Sequence, residues 1–358
     1  MAWDSKSGTL DTTTLSDDEY WSLFNYVFVG SAKKTTTYKF ALIKAILDNL
    51  LNNIPTENGQ EILYSNLFEK FAESYWNLVV KYHLKQKKDD SKKTISKIEQ
   101  IFNKAVLDNP ILENLEFSSI EKTIQKTIIK KVQKECKENV LGALWGDFQG
   151  NIYSFDKIKG DKLILSHGAY DFCLRHKMEL EKLNYYAWAK FLETINEENL
   201  LYKVISKIET SLPERKPLDI FRKILFEEFE QNNCFYCGKK LSAIAIHVDH
   251  FIPWSFVKED KLWNFVLSCS DCNIKKSDKL PSRNFIYKIQ NRNKLILNQF
   301  TSQDFVAQQF KNYKNELIPN LWQYAFYSGF KLLEQHHHTQ YQIDPSYGIL
   351  YVADSDIT

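Results

Sequence analysis

The chain has 358 residues, of which 44% are hydrophobic and 26% are charged, and its formal net charge is +2 at neutral pH. This balance is typical of a globular protein and excludes collagen-like, strongly disordered and uniformly basic classes. The amino-terminal stretch is polar and acidic and no run approaches roughly 18 apolar residues, so we expect a cytoplasmic protein with no membrane partner.

Apolar residues recur at helical spacing through most of residues 1–212. This spacing predicts buried helix faces, of which the clearest are Phe40, Ile43, Ile46, Leu47 and Leu50, then Leu67, Phe71, Tyr75, Leu78 and Tyr82. Glycines and aromatic residues alternate with apolar ones near 141–156, which predicts a short hairpin turning at 149–151. We therefore expect 1–212 to be a mostly helical recognition or regulatory region.

The amino-acid pattern of the chain changes after residue 212. Two prolines and three charges in residues 213–217 predict a linker, and residues 218–290 form the candidate functional module. Helical spacing resumes over 291–358, which predicts a C-terminal helical extension. The predicted fold class is α+β: a predominantly helical N-terminal region, a small module that contains strands, and C-terminal helices.

Four of the six cysteines form two pairs, Cys234 with Cys237 and Cys269 with Cys272. A C-x-x-C turn directs both sulfurs toward one point, and two such turns complete the closed four-thiolate site of structural zinc. Gly238 follows the first pair, where a tight turn needs a residue at positive φ. A redox pair would occur once and near a βαβ pattern, which is absent, so we predict a structural Zn²⁺ site.

The residues between the two pairs predict a strand over 243–249, a loop, a second strand near 263–269 and a helix that begins near Cys272. Within this order lie Asp249-His250, Pro253-Trp254-Ser255, Asn264 and the ending Cys269-x-x-Cys272-Asn273-x-x-Lys276. This pattern resembles the HNH endonuclease family, whose ββα-metal module carries a cysteine zinc knot. The resemblance covers about 50 residues, and weaker likenesses elsewhere point to bacterial HNH proteins of the restriction or anti-phage defence type.

The residue types also fit phosphodiester hydrolysis, which needs a base to activate water and a cation to stabilise charge on the phosphate. His250 is the predicted base, because an imidazole titrates near neutral pH. Asp249 and Asn273 are the predicted ligands of a catalytic cation, and one carboxylate, one amide and several waters suit Mg²⁺ or Mn²⁺. His247 lies on the same strand face as Asp249, and we interpret it as structural.

The resemblance implies further roles. Asn264 matches the central asparagine of the family and is expected to orient the catalytic loop and base. Lys275 or Lys276 is expected to hold a phosphate, and duplex DNA is the implied substrate. Between residues 231 and 290, nine Lys and Arg oppose five acids, a local charge of +4, which agrees with a nucleic-acid partner.

Three functions remain open from the sequence. The first is a metal-dependent DNA endonuclease in restriction or anti-phage defence. The second is a zinc-stabilised nucleic-acid-binding module without catalysis, although binding alone needs neither Asp249, His250 nor Asn273. The third is an RNase or toxin. The N-terminal helical region could also provide the surface for a homodimer or a partner protein.

Overall fold

The computed structural model describes residues 5–11, 14–29, 32, 34–52, 54–88, 95–209, 218–242, 245–299 and 304–333. The linker predicted at 213–217 lies outside these residues, as does the end of the chain after 333. No helix among the described residues is both long and apolar enough to cross a membrane.

The N-terminal part is mostly helical, as the apolar spacing predicts. Its helices are α1 (Asp17–Phe28), α2 (Tyr38–Asp48), α3 (Tyr64–Trp76), α4 (Lys97–Asp108), α5 (Lys122–Asp147), α6 (His167–Arg175), α7 (Lys177–Glu193) and α8 (Val204–Glu209). A π-helical turn, Asn77–Lys81, extends α3. Short 3₁₀ turns cover Pro110–Asn114, Phe117–Ser119 and Glu198–Leu200.

Helices α2 and α3 form the centre of this part, because both predicted stripes are buried. Phe40 and Ile43 on α2 and Leu67 and Phe71 on α3 are each at most 1% exposed. Helix α2 also packs against α7, which begins 129 residues after Asp48 and includes Glu181. Helix α1 has a capping box, in which Ser16 and Glu19 satisfy each other's backbone amides.

A five-stranded sheet lies against these helices. Its strands are β1 (Ser7–Gly8), β2 (Ile54–Thr56), β3 (Gly59–Leu63), β4 (Tyr153–Asp156) and β5 (Lys162–Leu165), in the antiparallel order β1-β4-β5-β3-β2. The strands are short, and the contacts of the sheet are made mainly with α3, α5 and α6.

The hairpin predicted near 141–156 is misplaced. Residues 141–147 are the last two turns of α5, and the hairpin is formed by β4 and β5, which turn between Asp156 and Lys162. The glycines at 142 and 146 suggested a break, but Cys136, Val140 and Leu144 continue one buried stripe at a spacing of four. The predicted turn residues 149 and 150 instead have positive φ just after the helix ends.

The remaining elements build the candidate module and its support. They are α9 (Asp219–Lys223) with the π-turn Ile224–Glu228, β6 (His247–His250), α10 (Trp254–Val257), β7 (Phe265–Ser268), α11 (Ser270–Lys276), α12 (Phe285–Gln299), α13 (Asp304–Phe310) and α14 (Leu317–Tyr327). Strands β6 and β7 pair antiparallel, with His250 opposite Phe265. Helix α11 packs against β6, which gives the predicted order of strand, strand and helix.

The C-terminal helices support this small unit. Arg292 on α12 is buried and donates to the backbone carbonyls of Phe265 at 2.5 Å and Trp263 at 3.3 Å. The Asn293 amide donates to the Trp263 carbonyl at 2.9 Å. Burial lowers the pKa of Arg292 to about 9, so its guanidinium stays protonated at neutral pH. Side chains of α12 thus fix the backbone at Trp263 and Phe265, where the chain enters β7.

Candidate active site and zinc centre

The four paired cysteines come together in space. Their sulfur atoms all lie within 4.8 Å of one another. A tetrahedral zinc with Zn–S bonds of about 2.3 Å separates its sulfurs by about 3.8 Å. The Sγ atoms of Cys237 and Cys269 are 3.8 Å apart. Among the described residues, this is the only group of three or more His, Cys, Asp or Glu side chains that could hold a metal ion.

The first cysteine turn has the geometry of a zinc knuckle. The amide of Gly238 donates to the carbonyl of Cys234 at 2.9 Å, and the amide of Cys234 donates to Lys239 at 2.8 Å. Gly238 has φ +73°, as the sequence predicts for the residue after the pair. The amide of Phe235 donates to Leu267 on β7 at 2.8 Å, so the knuckle is attached to the second strand.

The protonation of Cys272 depends on what the cluster holds. Burial, together with the neighbouring Cys234 sulfur, raises the pKa of Cys272 and favours its protonated form when no metal is bound. A divalent cation reverses this preference, because thiolates are its ligands. The spacing and the donor set therefore fit structural Zn²⁺. Cys136 and Cys173 are buried elsewhere as free thiols, in keeping with a packing role.

Asp249 lies on β6 opposite Val266, and it is 8% exposed. The hydroxyl of Tyr236, in the zinc knuckle, donates to Asp249 Oδ2 at 2.5 Å. The ammonium of Lys276, on α11, lies 3.4 Å from each carboxylate oxygen. Burial raises the pKa of Asp249, while Lys276 and Tyr236 oppose that rise. The carboxylate thus joins the knuckle, the first strand and the helix.

His250 is the next residue and is also 8% exposed. Its Nε2 lies 2.9 Å from Oδ1 of Asp260, in the loop before β7. The imidazole packs against Phe265, with ring centroids 4.4 Å apart. Because successive side chains of a strand point to opposite faces, Asp249 and His250 receive these different partners. The ring is therefore held by an aromatic face and a carboxylate.

Asn264 is fully buried and connects the two ends of the loop between the strands. Its Oδ1 accepts from the amide of Ile252 at 2.8 Å, and its Nδ2 donates to the carbonyl of Ile252 at 2.9 Å. The backbone carbonyl of Asn264 also accepts from Phe251 at 2.7 Å. These bonds fix the chain immediately after His250, and the role of Asn264 in orienting the base stays a prediction.

Helix α11 carries the other predicted residues. Asn273 and Lys276 are three positions apart, so they lie on one face of the helix, and Lys276 on that face reaches Asp249. Lys275 is exposed, whereas Lys276 is fully buried. In this structure Lys276 pairs with Asp249, so a phosphate contact from Lys276 stays a prediction. His247 is exposed at the start of β6.

Three residues of this site were not predicted from the sequence. Tyr236 lies inside the C-x-x-C turn, and its position between two ligands is a signal that could have found it. Asp260 belongs to the charged run Lys258–Lys261, which resembles an ordinary solvated loop. Arg292 sits on a helix 28 residues after Asn264, and no local pattern marks it as buried.

Comparison with known proteins agrees with this geometry. Residues 234–282 match a family model described as HNH endonuclease, and no solved structure matches the chain. The matched segment includes all four cysteines, Asp249, His250, Asn264 and Asn273. Residues 234–282 are therefore an HNH module with a four-cysteine cluster, and the family indicates a nuclease.

Proposed function

We propose that the protein is a metal-dependent HNH endonuclease that hydrolyses phosphodiester bonds in DNA. The observation that carries this proposal is the arrangement around Asp249 and His250. Two neighbouring side chains are buried to the same extent, yet one contacts a hydroxyl and an ammonium while the other contacts a carboxylate. Such a separation suits one group that holds a cation and one that accepts a proton.

Asp249 and Asn273 would hold the catalytic cation. The Lys276 ammonium lies beside both Asp249 oxygens, and this pairing supports the assignment of Asp249 as a group that binds positive charge. Asn273 lies on the same face of α11, one turn earlier. A carboxylate and an amide are hard oxygen donors, which fit Mg²⁺ or Mn²⁺ better than a thiophilic metal. When bound, the cation would stabilise negative charge on the phosphate and the leaving oxygen.

His250 accepts the proton of the attacking water in this proposal. Asn264 fixes the backbone after the histidine, and Phe265 supports one face of the ring. Zn²⁺ on the four cysteines has no open coordination position, so its role is structural. It holds the knuckle, and with it the hydroxyl of Tyr236, against Asp249.

Duplex DNA is the proposed substrate. The family of the module supports a nucleic-acid partner, and the local charge of +4 over residues 231–290 agrees with it. Lys275 is exposed at the end of α11 and is the candidate phosphate contact on the surface, with Lys276 behind it. Binding through phosphates would weaken steeply as the salt concentration rises.

A nicking assay tests the proposal. Zinc-loaded protein is incubated with supercoiled plasmid, single-stranded DNA and RNA, each with Mg²⁺, with Mn²⁺ and without added metal. We expect metal-dependent nicking of the plasmid and a loss of at least 100-fold in His250→Ala, because general-base catalysis contributes about 10²- to 10⁴-fold. His247→Ala is the matched control, since this exposed histidine lies three residues away on the same strand.

The alternatives give different results in the same assay. A binding module without catalysis retains plasmid in a gel-shift experiment but nicks nothing. An RNase or toxin cleaves RNA in preference to the plasmid. Equal nicking by wild type and His250→Ala would contradict the proposal, because the activity would then come from another site.

We also propose a role in restriction or anti-phage defence in the cytoplasm, with the helical region as the surface for a second copy or a partner protein. The support is the combination of a small nuclease module with a much larger helical region, and free buried thiols that suit a reducing compartment. Cells that express wild type but not His250→Ala should resist phage. Equal plaque counts in both strains would contradict the defence role.

A further inference from the structure

The loop from Lys258 to Lys261, here called the bridging loop, joins the HNH module to the helical region. It consists of four consecutive charged residues between α10 and β7. All four side chains are less than one fifth exposed, which is unusual for such a run. Charged groups that are this buried must have partners, and these partners come from two directions.

Lys258 is tied to α7. Its ammonium pairs with Glu181, which also accepts from Lys177 one turn earlier on the same helix. Glu181 and Lys177 are each 2% exposed. Lys258 is also the C-cap of α10, with a left-handed backbone at φ 54° and its amide donating to the carbonyl of Trp254.

Glu259 and Lys261 are both tied to Asn52, just after α2. The Asn52 amide donates through Nδ2 to Glu259, and its Oδ1 accepts from the Lys261 ammonium at 2.6 Å. Both ends of one amide are thus used by two residues of the bridging loop. Because α2 and α7 pack against each other, Asn52 and Glu181 hold the loop from one continuous support.

The remaining residue, Asp260, points the other way. Its Oδ1 lies 2.9 Å from His250 Nε2, and the two side chains are 17% and 10% exposed. An ionised carboxylate can only accept, so a neutral His250 beside it carries its proton on Nε2. Nδ1 is then the nitrogen that is free to take a proton from water.

We infer that Asp260 is a positioning residue for His250, and that the helical region holds Asp260 in place through Glu181 and Asn52. This inference rests on the proposed nuclease function. It assigns the helical region a part in aligning the catalytic base, beyond recognition or regulation. An orienting carboxylate of this kind can matter strongly: its neutralisation in a Ser-His-Asp triad lowers kcat by about 10⁴-fold.

The first test compares Asp260→Ala and Asp260→Asn with wild type in steady-state plasmid nicking. We expect kcat to fall at least 10-fold in both variants while KM changes less than 3-fold, since Asp260 acts through His250. Asp260→Asn keeps the size of the side chain, so it remains informative if Asp260→Ala folds poorly. Wild-type kcat in Asp260→Asn would overturn the inference, even if His250→Ala is inactive.

A second readout follows the tautomer of His250 directly. In protein with ¹⁵N-labelled histidine, the His250 signals are assigned by their loss in His250→Ala. Neutral His250 should carry its proton almost entirely on Nε2 in wild type, and Asp260→Ala should raise the fraction of the other tautomer. An unchanged ratio of the two tautomers would overturn the positioning role, because a carboxylate that does not bind the imidazole leaves the ratio unchanged.

The third test addresses the support from the helical region. Lys258→Met removes one contact of the bridging loop and Asn52→Ala removes two, and both variants keep His250 and Asp260. We expect a 3- to 10-fold loss of kcat in each, with one zinc per chain retained. Lys190→Met is the matched control, because Lys190 lies on α7 as Glu181 does but pairs with Glu193 on the surface.

These outcomes separate two failures. If His250→Ala cuts as well as wild type, the proposed nuclease site itself is wrong. If His250→Ala is inactive while Lys258→Met and Asn52→Ala both keep the kcat of Lys190→Met, the nuclease proposal stands and the support from the helical region is wrong.

Discussion

The HNH module and the helical region use polar and charged residues differently. In the module, Asp249, His250 and Asn273 lie within 25 consecutive residues, on one strand and one helix that pack against each other. In the helical region, Glu181 and Asn52 lie about 130 residues apart in sequence, yet they hold one loop of the module. The residues of the module form a local motif from which the chemistry can be predicted. The contacts of Glu181 and Asn52 with the loop can be recognised only in the structure.

A sequence motif therefore identifies the residues of a site but not the distant residues that hold the site in place. The spacing of the C-x-x-C ligands is determined by the coordination geometry of the metal, so it can be recognised in a short stretch of sequence. A buried ion pair between distant parts of the chain has no such spacing. In the sequence it is seen only as a charged residue among apolar ones, and its partner cannot be predicted.

Loss of one zinc ligand should disrupt the module and spare the helical region. Cys234→Ser removes one of four thiolates, and structural zinc sites contribute on the order of 10 kcal/mol in small peptides. We expect loss of bound zinc, loss of nicking and rapid proteolysis within 230–290, with helical circular dichroism largely retained. Cys173→Ala, which removes a buried thiol outside the cluster, should keep one zinc per chain. A zinc-bound, active Cys234→Ser protein would exclude the four-cysteine site.

The pair between Glu181 and Lys258 should make stability depend on pH. Burial alone would raise the pKa of Glu181, but Lys177 and Lys258 lower it below 4.5, with Asp48 opposing them. Its contribution is therefore complete above the unfolded pKa and is lost as the pH falls through the lower, folded pKa.

Urea unfolding of Glu181→Gln measures this contribution. At pH 7 the free energy of unfolding should fall by about 3 kcal/mol, because two lysines lose a buried counter-charge. The difference from wild type should shrink below about pH 4, where the carboxylate takes up a proton in the unfolded state before it does so in the folded state. Glu193→Gln, on the exposed face of α7, should change stability by less than about 0.5 kcal/mol. A difference that stays constant with pH would argue against the pair.

Arg292 tests the support that comes from α12. Arg292→Met removes the buried guanidinium donor from the Phe265 carbonyl and leaves the Trp263 carbonyl with Asn293 alone, which should lower the free energy of unfolding by about 2 kcal/mol. Arg292→Lys keeps one charged donor and should lose less. Thermal unfolding of zinc-loaded protein checks both variants, and equal stability of Arg292→Met and wild type would show that these bonds contribute nothing net.

Gly238→Ala should have the smallest effect. A Cβ at this position would meet no atom within 4 Å, so only the backbone at φ +73° opposes it. We expect a loss of about 1 kcal/mol with zinc still bound, because a left-handed conformation costs an alanine roughly that much. Competition with a chromophoric zinc chelator measures the change, and a complete loss of zinc would mean that the knuckle tolerates no adjustment.

Much of the fold was predictable from the sequence because it rests on local periodicity. The stripes through Phe40 and Leu67 are buried as predicted, and the order of β6, β7 and α11 is confirmed. The hairpin was misplaced because glycine favours turns, while the buried stripe that includes Leu144 continues the helix through it. Propensity is a weak guide where tertiary packing supplies the stronger preference.

The site divides in the same way. The four-cysteine cluster and the strand positions of Asp249 and His250 follow from spacing and residue type. Asp260 could not be found, because a carboxylate in a charged loop looks solvated until the fold places it beside an imidazole. The contact between Lys276 and Asp249 was likewise not predictable, because the sequence offered Lys275 or Lys276 only as a phosphate contact, which stays a prediction.

A double-mutant cycle on the rate of plasmid nicking tests whether Asp260 acts through His250. It compares wild type, His250→Ala, Asp260→Ala and the double variant at saturating Mg²⁺, each with one zinc per chain. If Asp260 acts only through His250, the double variant should be no slower than His250→Ala, because residues of one catalytic unit are not additive. Losses that multiply, or a His250→Ala protein that nicks at the wild-type rate, would contradict the account.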